Sequence, residues 1–181
     1  HAESESTSHS EYNPTAILAG FIIEYAARDS ALYCQGVAIA HELATAFCSN
    51  PHLDMHSLLC VADLLQAIAR AGLQQAFALE TLQRLADACA QEAIRADATG
   101  WDGYAFRPSL YCKSPDSPIY AENREIVEQE LDYLLARRNE AGVWDITWRW
   151  AGYPQEFAIS ENWWRADIAI KNVLFLDAFG R

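Results

Sequence analysis

Apolar side chains recur every three or four residues through most of this chain, the period of an α-helix that turns one face to a core. Asn13-Pro14 reads as a helix start, with an N-cap side chain followed by proline at the first helical position. Ile17, Leu18, Phe21, Ile22 and Tyr25 then share a face expected to point inward. After a break at Arg28-Asp29-Ser30, a second helix turns Tyr33, Val37, Ala40, Ala44 and Phe47 inward. So short a connection makes the two helices antiparallel neighbours. Asp54 opens a third helix with Leu58, Leu59, Ala62, Leu65 and Ala69 inward, and Gly72 closes it at the C′ position. A fourth, from about Ala78 to Ala96, presents Leu79, Leu82, Ala86, Cys89 and Ala93 at helical spacing.

Between Asp97 and Ala121 the pattern lapses into a long loop containing Gly100, Gly103, Pro108, Pro115 and Pro118. A loop of that length in a compact domain is often functional or laid over a cleft. Val127, Leu131, Leu134 and Leu135 mark a fifth helix, about Asn123 to Asn139. The segment from Gly142 to Ile159 is aromatic and turn-rich, and Ser160 is read as the cap of a last helix reaching Phe179. The expected fold is all-α, built from α/α hairpins. Residues 1–12 are read as a disordered lead or linker, and residues 13–181 as one helical domain.

Charge and cysteine usage narrow the function classes. The net charge is −12, and the 13 Lys and Arg are scattered, so neither a nucleic-acid groove nor binding to anionic lipid is expected. No apolar run approaches the ~20 residues that span a bilayer, and the polar His1–Ser10 does not read as a signal peptide. The five cysteines lack CxxC spacing, and four fall in apolar helical patterns. They are expected to be free, mostly buried thiols in a reducing, cytoplasmic setting. The chain starts without Met, as expected of a trimmed chain or of a piece of something longer.

Residues 133–144 read Tyr-Leu-Leu-Ala-Arg-Arg-Asn-Glu-Ala-Gly-Val-Trp. They resemble the QW-type repeat of terpenoid cyclases, with Tyr133, Leu134, Leu135, Gly142 and Trp144 matching and Arg138 standing where that repeat has Gln. The aromatic segment that follows, through Trp163-Trp164, resembles prenyltransferase- and squalene-cyclase-like proteins. The likeness covers roughly residues 100 to 181. It implies an α/α toroid, of which a chain with six helices would form only part, and an apolar, isoprenoid-type ligand. No cofactor is implied.

Five of the six tryptophans fall between positions 144 and 164. Trp148, Trp150, Tyr153, Trp163 and Trp164 are the candidate ligand-binding residues, because indole faces can line an apolar cavity, stabilise a cation or stack on a sugar. The same side chains can equally staple helix ends. In an extended segment Trp148 and Trp150 share a side. Asp145, Glu156 and Asp102 are the candidate acids, since a carboxyl raised by apolar surroundings can donate a proton. Paired carboxylates beside a tryptophan-lined groove would instead suit glycoside cleavage. No metal-ligand spacing occurs, and Asp54 near His56 is explained by its cap position. The alternative to an enzyme is a non-catalytic helical scaffold. Too few helices cover the apolar third and last ones, so the missing cover is expected to be a second copy or an N-terminal segment of the same protein.

Overall fold

The computed structural model describes residues 12–98, 100–103, 105–150 and 152–181. Among them are six α-helices, one 3₁₀ turn and no strand. The helices are α1 (Tyr12–Tyr25), α2 (Ala31–Ser49), α3 (Met55–Arg70), α4 (Leu79–Ala96), α5 (Tyr120–Ala136) and α6 (Pro154–Ala178), with the 3₁₀ turn at Pro108–Leu110. The all-α expectation holds. Residues 1–11 lie outside the described residues, while Tyr12 is buried at the head of α1. The chain divides into two compact units, residues 1–90 and 91–181, with the boundary inside α4.

In the first unit α1 packs against both α2 and α3. Small residues set that packing. A Cβ at Gly20 would lie 3.1 Å from the Ala67 Cβ and 3.4 Å from the Leu64 Cα, and one at Gly36 would lie 2.6 Å from the Ile22 Cγ2. Gly20 beside Leu64 and Ala67, and Glu24 beside Arg70, place α1 and α3 in the same direction along one another. Arg70 grips the Glu24 carboxylate through two hydrogen bonds of 2.9 and 2.8 Å.

Two caps act as the sequence implies. The Asp54 carboxylate accepts from the backbone N–H groups of His56 and Ser57. Gly72, at φ +78°, takes the left-handed conformation that ends α3. The face of α1 departs from expectation. Ala16, Ala19, Gly20 and Ile23 are buried, whereas Ile17, Leu18, Phe21 and Tyr25 are exposed. The buried face is the one small enough for close helix contact. α3 is buried widely, with Leu58, Cys60, Val61, Leu64, Leu65, Ala67 and Ile68 all inside, as its near-continuous apolar sequence requires.

In the second unit the long loop is pinned to α5. Glu130, fully buried, accepts from the Ser109 N–H at 2.7 Å and the Ser109 hydroxyl at 2.6 Å, and Arg107 lies 3.6 Å away. The Trp101 ring meets Tyr133 edge-on at 5.5 Å. The end of α5 is closed by Trp144, whose indole N–H donates to the Leu134 carbonyl at 2.8 Å. Gly142 at φ +77° lets the chain double back to place it there. α6 begins at Pro154 in the first helical position, six residues before the expected Ser160 cap, which lies inside the helix.

Candidate functional site

The candidate aromatics lie where the loop after α5 meets the first turns of α6. Trp148 meets Phe157 at 5.8 Å and Trp164 at 5.3 Å, and Trp150 meets Phe157 at 5.8 Å, all edge to face. Both indoles thus approach one ring, as their expected shared side implies. Edge-to-face pairing of this kind joins ring quadrupoles favourably and adds to the burial of apolar area. Phe157 is buried, while Trp150 and Trp164 are partly open, and Tyr153 and Trp163 are largely exposed. Trp163 shares α6 with Trp164, one helical step apart, and so projects in a different direction.

Trp144 has the stapling role. It is buried, and the Arg138 guanidinium lies 5.3 Å from its ring centroid. Arg138 is thus a cation set over the π-face of this indole.

The candidate acids are placed apart. Asp145 lies 3.5 Å from Arg165, which also pairs with Glu161 at 3.0 Å, and accepts from Asn139 at 3.4 Å. Asp102 sits at the other end of the loop–α5 contact, paired with Arg137 and accepting from the Tyr133 hydroxyl at 3.2 Å. Burial pushes that Tyr133 hydroxyl above its usual range, and the Asp102 hydrogen bond adds to the effect. Glu156 is exposed in the first turn of α6, where a carboxylate complements the helix dipole.

Glu130 is the carboxyl that the sequence reading passed over. Burial raises its pKa, opposed by the Ser109 hydroxyl, Arg107 and the Ser109 N–H. Its signal was its phase: it stands three residues after Val127 and beside Leu131, on the buried face of α5. With its hydrogen bonds and ion pair made to the loop, its place is that of a loop anchor.

A shallow depression of about 310 Å³ lies between the end of α4 and the start of α5, lined by Arg95, Glu122, Asn123 and Ile126 among others. It includes none of the candidate residues. Among the described residues no group of three or more His, Cys, Asp or Glu is placed to hold a metal ion. No helix there is long and apolar enough to cross a membrane.

The largest feature of the second unit is on α6 itself. Phe157, Asn172, Phe175 and Leu176 are buried along one face. On the opposite face Ile159, Trp163, Ile170, Val173 and Leu174 are between 52% and 73% exposed, apart from Trp163 at 79%. At 100° per residue the two sets are half a turn apart, so α6 is apolar on two sides and covered on one. No protein-family model matches the chain, no curated protein matches it, and no solved structure matches it.

Proposed function

We propose that the protein is a helical docking module, a scaffold that binds other polypeptides through apolar helix faces displayed on its surface. The observation that carries this reading is the outer face of α6. Exposed apolar residues scattered singly are ordinary, but a continuous stripe along one helix costs solvation unless something covers it. The α1 face of Ile17, Leu18, Phe21 and Tyr25 repeats the feature in the first unit, with the Phe21 and Tyr25 rings 4.8 Å apart. Asp102 and Asp145 support the reading too, being held by arginines in ion pairs.

A second reading follows the resemblance to terpenoid cyclases and is favoured by the Arg138–Trp144 stack. In it an isoprenoid-type ligand lies against Trp148, Trp150, Tyr153, Trp163 and Trp164, and Asp145 is the first acid to test. Native mass spectrometry of protein taken from a cell extract separates the two. A retained polypeptide is the expected result, and a retained lipid or sugar in its place overturns the docking reading.

A further inference from the structure

We propose that the outer face of α6 is the seat of a second copy of this chain, packed antiparallel to the first; this rests on the docking reading above. The spacing is the first ground. Ile159, Trp163, Ala166, Ile170 and Val173 follow at intervals of four, three, four and three, the repeat by which two helices mesh along a seam. All five are exposed.

Size and charge then choose the arrangement. With one helix reversed, Trp163 of each copy can lie over Ala166 of the other, the largest side chain against the smallest. In that register Ile159 faces Ile170 of the second copy. Lys171 already holds Asp167 at 2.7 Å, so at that point the rim presents a neutral pair. The pattern closes on itself through a twofold axis, as an isologous interface must.

The charge of the helix suits self-association in an acidic protein. From Pro154 to Arg181 four acids (Glu156, Glu161, Asp167 and Asp177) stand against three bases (Arg165, Lys171 and Arg181), a balance of −1 in a chain of −12. Two copies meeting here bring together a stretch of low net charge. The area is sufficient. The five large exposed side chains offer on the order of 700 Å², near the roughly 800 Å² that each partner contributes to a standard interface.

The test is sedimentation velocity of the full chain across the micromolar range, beside Trp163→Glu and, on the α1 face, Leu18→Glu. Both substitutions are at exposed positions, and circular dichroism checks that each variant is folded. The expected result is a dimer for wild type and Leu18→Glu, and half that mass for Trp163→Glu. A wild-type monomer overturns the second copy. If its hydrophobic-dye fluorescence still falls in Trp163→Glu, the docking face itself stands; if it does not, both readings fall. Orientation is tested in a Cys34→Ser, Cys48→Ser background, since those are the two exposed thiols. Oxidising a mixture of Ile159→Cys and Ile170→Cys proteins should give the mixed disulfide, with neither variant cross-linking alone. Cross-linking of each variant with itself would show parallel packing and refute the arrangement.

Discussion

Replacing Trp144 by alanine should unfold the second unit far more readily than replacing Trp150. Trp144 is 4% exposed and Trp150 is 39% exposed. Truncating a buried tryptophan costs ~3–5 kcal/mol through lost transfer energy and the cavity left behind. Trp144→Ala also removes the N–H bond to Leu134 at 2.8 Å, leaving that carbonyl only the longer bond from the Arg137 N–H at 3.3 Å, and it strips Arg138 of its ring. Trp150 keeps one edge-to-face contact, with Phe157 at 5.8 Å, and its removal should cost about 1–2 kcal/mol. At ~2–4 °C per kcal/mol for a chain of this size, Trp144→Ala should melt about 10 °C low and Trp150→Ala roughly 4 °C low. All six tryptophans lie beyond residue 90, so indole fluorescence follows the second unit alone. Trp144→Phe, which keeps the apolar bulk and loses the donor, should fall between wild type and alanine. Equal melting points for the two alanine variants, or a lower one for Trp150→Ala, would refute the assignment of Trp144 as the staple.

Other outcomes follow from single contacts. Gly36→Val should destabilise the first unit by about 2–3 kcal/mol, because even a Cβ would lie 2.6 Å from Ile22; a denaturant midpoint followed by far-ultraviolet circular dichroism reads it. Asp54→Ala should cost about 1 kcal/mol as a lost cap. The Ser57 hydroxyl, Ser57 N–H and His56 N–H hold the Asp54 carboxyl below its ordinary range. Its contribution is therefore complete above the unfolded value, about 3.9, and is lost as pH falls through the lower folded one, so wild type and Asp54→Ala should converge in stability in acid. A thiol reagent should label Cys34 and Cys48 quickly, with buried Cys60 and Cys112 reacting only after denaturation; burial also pushes both buried thiols up, away from the reactive thiolate. At a dilution where no self-association survives, Phe175→Glu should abolish folding of α6 onto its unit while Trp163→Glu leaves the melt within ~0.5 kcal/mol of wild type.

The helices were legible because their ends carry chemistry. Asp54 caps α3, Ser30 accepts from the Tyr33 N–H at 3.1 Å, and Gly72 turns the chain out, all from residue types that do little else so well. Faces were harder to read. Hydrophobicity alone turns Phe21 and Leu18 inward, but Gly20 and Ala19 allow α1 to approach α3 closely, and contact at that distance excludes large side chains. Cys34 and Cys48 were misplaced for a related reason, since apolar neighbours on α2 do not fix which side of a helix is covered. The start of α6 was available in Pro154, a residue favoured at the first helical position, and was obscured by the more obvious Ser160. The candidate acids were chosen for nearness in sequence to tryptophan, and the fold gave two of them arginine partners instead. Glu130 was hidden among 25 acids, although its phase on α5 marked it as buried.

Photo-cross-linking from position 163 tests the docking reading most directly. A benzophenone side chain in place of Trp163, on the exposed face of α6, is activated in cells that produce the protein, beside the same group at the exposed polar residue Glu125 on α5. The account predicts a discrete polypeptide adduct from position 163, a second copy of the chain included, and none from position 125. Adducts of equal yield from both positions, or no polypeptide adduct from 163, would contradict it.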